Sequence, residues 1–364
     1  MAESNRLAEL VQARIDRFLD ERTSILVSIS DDLVPFCDFS RQFLSGGKRF
    51  RAQFCYRGWQ SVHGSAGALD TVDAAIGAAA ALEVFHAAAL VHDDIIDSSD
   101  TRRRAPSAHR RFEALHDRLG YAGTAYDFGT TSALLLGDLL LGWSDELFDE
   151  ALGVLDSPKQ AVAVRRQFNR MRTEVTAGQY LDILEERAWN TREEDELLAH
   201  AQRVIIYKSA KYSVEAPLLI GATIAGAREV QRTTLREFGL PLGIAYQLRD
   251  DLLGVFGDTE ITGKPSGDDL REGKRTVLIA LARQKLPATA RRLLDELLGD
   301  PELDDTQIAM LHNTIRASGA VEEVEALISR NADRANAALD EAPLDPAAIA
   351  QLRSLTRTVT DRVA

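Results

Sequence analysis

Apolar positions recur every three or four residues along almost the whole chain, the spacing that places side chains on one face of an α-helix. Leu7, Leu10, Val11, Ile15, Phe18 and Leu19 set the pattern first and predict an amphipathic packing helix over 4–30. Residues 70–98 are apolar on every side and rich in alanine, which predicts a helix packed closely in the interior or at a subunit interface. Further helices are expected over 130–151 and 165–187, a polar connection over 185–196, and a buried stretch again over 204–221. From Val277 to Ala364, helical stretches alternate with turns at Pro287, Pro301 and Pro343; no chemical motif stands out there, and packing of outer helices is the expected role. No run alternates with period two, and neither a Rossmann nor a P-loop glycine pattern occurs. The expected fold is all-α: a single large helical bundle, one domain over 1–364, with its chemistry in a central cavity between facing helices.

Composition narrows the partners. The 364 residues are 45% hydrophobic and only 6% aromatic, so the core must come mainly from aliphatic helix packing. A net charge of -13 argues against nucleic acid or anionic membranes as partners. An anionic ligand would need local basic clusters or metal ions. Cys37 and Cys55 show neither metal-ligand spacing nor a disulfide framework, and a reducing cytoplasmic setting is the simplest reading. The N-terminus lacks the pattern of a targeting segment, and no run reaches the roughly 18 apolar residues of a membrane span, so a soluble cytoplasmic protein without stable membrane insertion is expected.

Polar interruptions of the helical pattern carry the candidate chemistry. Asp93 and Asp97 stand one turn apart on a helix face, with Asp94 about 100° round from Asp93. His86 lies on that face two turns earlier and Ala89 one turn earlier. These acids come near a helix C-terminus, where the macrodipole disfavours negative charge by roughly 0.3–1 kcal/mol each. The placement gains nothing unless a cation binds. The arginines at 102–104 need no such explanation, because basic residues suit a helix C-terminus.

A second cluster repeats the arrangement: Gly243, Gln247, Asp250, Asp251 and Gly254 share one face of a helix over 239–258 and precede another basic stretch. In GQYLD, Gln179 and Asp182 are three apart and read first as a solvated face. In GGKRFR, a glycine turn enters a solvated basic helix start, with Lys48 and Arg51 three apart. Together these features imply a cavity with opposing acidic walls and a basic rim. Mg²⁺ suits such walls, because it keeps several waters and shares phosphate oxygens with a substrate. A magnesium-bound diphosphate is the expected occupant, and Phe85, Ala88 and Ala89 offer an apolar wall for a hydrocarbon tail.

The same residues resemble the trans-isoprenyl diphosphate synthases of the polyprenyl synthetase family. GGKRFR, DDIID followed by Arg102 and Arg103, GQYLD, Lys208-Ser209, YQLRDD and GKP…DDLREGKRT occur in the family's order from about residue 46 to 280. The resemblance implies a homodimer that uses Mg²⁺ to join isopentenyl diphosphate to an allylic diphosphate. It implies that Asp93, Asp94 and Asp97 hold metals on one wall and Asp250 and Asp251 on the other. Arg102, Lys208 and Lys264 would contact the allylic diphosphate, with Lys274 added to that set. Lys48, Arg51, His86 and Arg103 would bind isopentenyl diphosphate. Gln179 and Asp182 would support the metal shell, and Gln247 with the Lys208-Ser209 backbone would face a developing cation.

Two departures stand out. The second motif usually reads DDxxD, whereas here Gly254 takes the fifth position and the next acid is Asp258. Arg104-Ala105-Pro106 stands where a glycine and a lysine are more usual. Neither Ala88 nor Ala89 closes a pocket as an aromatic residue would, so a C20 product, geranylgeranyl diphosphate, is expected. Phe85 forms either a deeper floor or plain core. A longer-chain synthase, a class I terpene cyclase and a non-catalytic subunit of a heteromeric synthase are the competing readings. A cyclase would have no need of Lys48, Arg51 and His86.

Overall fold

The structure, a computed structural model, describes residues 2–63, 69–102, 104–257 and 267–360. It is all-α apart from one short hairpin. The chain divides into two compact units, Met1–Arg165 with Ile220–Ala227, and Arg166–Leu219 with Arg228–Ala364.

In the first unit, helices α1 (Ala2–Ile29), α2 (Val34–Phe43), α3 (Phe50–His63), α4 (Leu69–Ile96), α5 (Ala108–Leu119) and α6 (Ala125–Leu152) pack around α4. The predicted α1 stripe is buried at Leu7, Val11, Ile15, Phe18 and Leu19, while Leu10 faces outward. Helix α4 is apolar on all sides because it is enclosed: Ala74, Ala75 and Ala78–Ala81 are fully buried. Small residues set its distance from α6, since a Cβ on Gly77 would come 2.7 Å from the Ala151 Cβ. Thr71–Ile96 is, by length and composition, apolar enough to cross a membrane, which corrects the expectation that no run reaches that length; 78% of its most apolar window is buried within the protein. Cys37 and Cys55 are both free and buried. A two-stranded hairpin not expected from the sequence, β1 (Thr101–Arg102) and β2 (Ala105–Pro106), follows α4, with Arg102 opposite Ala105.

The second unit is built on α10 (Glu229–Phe256) and α15 (Ala320–Ala338), with α7 (Pro158–Ala188) entering from the first. Between α8 (Leu197–Val204) and α9 (Ala216–Ile224) the chain stays helical but widens to a π-helix over Ile205–Glu215. The short α11 (Asp268–Glu272) follows, then α12 (Val277–Lys285), α13 (Ala288–Leu297), α14 (Asp305–Ala317) and α16 (Pro346–Thr360). As expected, these later helices are packing elements: Leu278, Leu281, Leu294, Leu311, Ile315 and Ile328 join Leu248 and Leu252 of α10 in one apolar core. The polar stretch expected to connect helices over 185–196 begins instead inside α7, where buried Glu185 accepts from His200 Nδ1 at 2.9 Å.

Candidate active site

In the first unit the acids sit where α4 ends. Ser98 adopts φ 53, and the Ser99 N–H returns to the Asp94 carbonyl at 2.9 Å, closing the last turn. The hairpin then brings Arg102 back over the acids. Its Nε donates to Asp94 Oδ1 at 2.9 Å, Nη2 reaches the same oxygen, and Nη2 lies 3.6 Å from Asp93 Oδ2. Asp94 is completely buried, whereas Asp93 and Asp97 keep partial exposure. Three neighbouring aspartates thus divide their work, with Asp94 anchoring Arg102. The hairpin turn is made at Arg104, whose φ of 64 is the left-handed backbone that favours glycine. Arg103 lies outside the described residues.

The GGKRFR segment shows why it carries two glycines: Gly46 and Gly47 take φ 64 and 84. Its expected solvated start holds for Lys48, which is exposed, and fails for Arg49, which is buried. Arg49 pairs with Glu83 of α4 at 3.5 Å, and Glu83 also accepts from the Ala52 N–H at 3.0 Å. This buried pair pins the start of α3 to α4, the helices that carry half-buried Arg51 and His86. The sequence signal for it was a lone glutamate inside an otherwise apolar run, since a buried acid requires a partner. Ala88 is fully buried, Phe85 nearly so, and Ala89 remains partly exposed.

In the second unit, two motif glycines allow helices to close on the π-helix. A Cβ on Gly178 of α7 would come 2.5 Å from the Tyr207 carbonyl carbon, and one on Gly243 of α10 would come 2.6 Å from the Ala210 Cα. The approach at Gly178 sets Asp182 against Lys208, with Nζ 2.5 Å from Oδ2. Lys274 Nζ lies 3.6 Å from the same oxygen and 2.7 Å from Glu186 Oε1. Asp182 is therefore the shared counter-ion of two lysines, correcting its reading as part of a solvated face. Glu186, one turn further along α7, was missed; its spacing from Asp182 was the available signal. Gln179 and Ser209 are half-buried on α7 and the π-helix, and Lys264 lies outside the described residues.

On α10, the Gln247 amide nitrogen donates to Asp251 Oδ1 at 2.8 Å. Asp251 is only 5% exposed, and its Oδ2 has no hydrogen-bond partner. Burial pushes its carboxyl well above the usual range; the Gln247 bond opposes this, and the negative charges of Asp269, Asp250 and Asp182 add to it. A buried carboxylate oxygen without a donor, near three other acids, fits a cation. Among the described residues no three His, Cys, Asp or Glu side chains form a ready-made metal cage. A hard ion that retains water and shares a ligand's phosphate oxygens needs no such cage.

A sequence profile of the polyprenyl synthetase family matches residues 36–315. The chain belongs to this family. As a polyprenyl synthetase it is a prenyltransferase of the isoprenyl diphosphate synthase type. It is 30% identical over 293 residues to the short chain isoprenyl diphosphate synthase of Methanocaldococcus jannaschii, covering 78% of this chain and 80% of that one. It is also 30% identical over 311 residues to the geranylfarnesyl diphosphate synthase of Aeropyrum pernix, covering 85% and 88%. Among solved structures, the geranylgeranyl pyrophosphate synthase of Corynebacterium glutamicum, complexed with isoprenyl diphosphate and magnesium, is similar with a TM-score of 0.91 and 39% identity, over 98% of this chain and 99% of that one.

Proposed function

We propose that this polyprenyl synthetase condenses isopentenyl diphosphate with an allylic diphosphate, with Mg²⁺ as cofactor, and releases geranylgeranyl diphosphate. The observation that carries the metal requirement is the buried Asp251 carboxylate, whose Oδ2 lacks a donor. Asp93 and Asp97 of α4, and Asp250 and Asp251 of α10, would hold the ions, with Asp182 supporting them and Asp94 holding Arg102 in place. Bound Mg²⁺ would neutralise diphosphate charge and so make diphosphate a better leaving group.

The chain's own part is to bind and orient. Arg102, Lys208 and Lys274 are held by acids, which fixes cationic groups before a diphosphate arrives. Lys48, Arg51 and His86 are assigned to isopentenyl diphosphate. The allylic C–O bond breaks with its electron pair leaving on diphosphate. The alkene of isopentenyl diphosphate then attacks the allylic cation, and the resulting tertiary cation loses a proton to the released diphosphate. No protein nucleophile is needed.

Product length is assigned to Ala89, the partly exposed alanine one turn before Asp93. Support for a C20 product comes from the likeness to the C. glutamicum enzyme. Purified protein given Mg²⁺, isopentenyl diphosphate and each allylic starter should form a C20 product, read by chromatography after dephosphorylation. Ala89→Phe should shorten it. Unchanged length would overturn this placement, and no turnover by the protein alone would favour a non-catalytic subunit. The A. pernix relative favours a second reading, a longer product, which the same assay would reveal. The proposal includes a cytoplasmic homodimer; exposed Leu134 and Leu135 on α6 offer an apolar contact, and light scattering would test the mass.

A further inference from the structure

Helix α10 carries a cation directly before its acid pair, Arg249 ahead of Asp250 and Asp251. Successive residues on a helix turn by about 100°, which sets Arg249 about 200° round from Asp251, away from the acids. On that side its guanidinium meets Glu325 of α15 in a two-pronged pair. Nη1 donates to Oε1 at 2.5 Å and Nη2 to Oε2 at 2.7 Å. Arg249 is only 7% exposed, whereas the Glu325 side chain keeps 45% exposure.

The surroundings make this pairing matter. Leu248 and Leu252 along α10, and Val324 and Ile328 along α15, belong to one apolar core. A charge beside such side chains is screened far less than one in water. Without its counter-ion, Arg249 would raise the positive potential at the acids, and a metal ion would be repelled. The fork-to-fork geometry holds the two charges against each other and cancels that field. Glu325 comes from a distant segment: it lies beyond residue 315, where the match to the family profile ends.

We propose that Glu325 is a positioning residue for the metal site: it holds and neutralises Arg249, so that Asp250 and Asp251 attract Mg²⁺ with their full negative charge. This role rests on the metal-dependent reading above and extends it to a residue that acts only through Arg249. Arg102 provides the contrast, because its guanidinium is bonded to the acids themselves. Each acid motif thus has an arginine beside it in sequence, one spent within its cluster and the other drawn off to a different helix. If Glu325 acts through charge, losing one partner must differ from losing both. An arginine alone leaves an uncompensated cation, whereas replacing a whole ion pair by uncharged residues is often neutral for folding.

Calorimetry on the purified protein tests this with two probes of opposite charge, Mg²⁺ alone and metal-free inorganic diphosphate, with thermal melting as a control for folding. Glu325→Gln should weaken Mg²⁺ binding about 10-fold, the scale of one extra charge near the site under partial screening, and should tighten diphosphate binding. Arg249→Gln combined with Glu325→Gln should return both affinities to near the wild-type values. Arg249→Gln alone should bind Mg²⁺ at least as tightly as wild type, which keeps the test available if Glu325→Gln does not fold. Unchanged affinities in Glu325→Gln, parallel weakening of both probes, a folded double variant that stays weak for Mg²⁺, or weaker Mg²⁺ binding by Arg249→Gln would each overturn the proposal alone. So would wild-type protein that binds Mg²⁺ only together with diphosphate, because the acids would then not attract the ion themselves. Wild-type protein that binds Mg²⁺ neither alone nor with diphosphate would overturn the functional reading and this proposal with it.

Discussion

The acid cluster ending α4 and the one on α10 solve the same electrostatic problem differently. On α4 the most buried carboxylate, Asp94, is neutralised by Arg102 from the same stretch of chain. On α10 the most buried carboxylate, Asp251, receives one amide bond and faces further acids. In the first cluster the buried acid has its counter-ion within the chain. In the second, burial and neighbouring carboxylates both oppose the charge of the buried acid, so the two buried acids should respond in opposite ways to removal of their carboxylates.

The largest effect is expected at Asp93, which keeps partial exposure beside the balanced pair. Asp93→Ala should lower turnover by roughly 10²–10³-fold, the scale of losing one pre-organised electrostatic contact. Near-normal steady-state turnover would show that the α4 acids are dispensable and reverse the comparison. Next comes Asp94→Asn, which removes the charge that Arg102 needs. Urea denaturation should show a loss of about 2 kcal/mol, typical of a hydrogen bond to a charged group. An unchanged midpoint would mean that the pair contributes nothing to folding.

Asp251→Asn should do the opposite. Removing a charge that burial and neighbouring acids oppose should stabilise the metal-free protein by about 1 kcal/mol while abolishing Mg²⁺ binding, as happens when an active site is relieved of its strain. A destabilised variant would show that some cation already balances Asp251 within the chain. The smallest effect belongs to the hairpin that positions Arg102. Arg104→Gly should gain about 0.5 kcal/mol, since the left-handed backbone costs an arginine more than the added freedom of glycine costs the unfolded chain. A lower melting temperature would mean that the Arg104 side chain outweighs its backbone.

The sequence made the α4 cluster more legible than the α10 cluster, for a physical reason. Asp93, Asp94, Asp97 and Arg102 lie within ten residues, so helix periodicity and one turn account for their meeting. The apolar stripes and the burial of the α4 alanines were legible by the same local rule. Asp182 with Lys208, Lys274 with Glu186, and Arg249 with Glu325 join residues from separate segments, and no local periodicity reports which helices touch. The Arg49–Glu83 pair was hidden similarly: a basic run looks solvated until its partner on another helix is known. Gly178 and Gly243 signalled close approach without naming what approaches.

The π-helix around Lys208 has a consequence for how this protein can change length. Its wider hydrogen-bonded ring lets the segment act as an absorbed insertion, with surplus residues stored inside a continuous helix. Deleting one residue upstream of Lys208 within it could restore ordinary helical winding, yet would turn that lysine by about 100° relative to the residues that precede the deletion. The backbone would tolerate such a loss more readily than the Asp182 contact would. Insertions and deletions in this stretch are therefore filtered by side-chain direction, even where the helix itself would survive them.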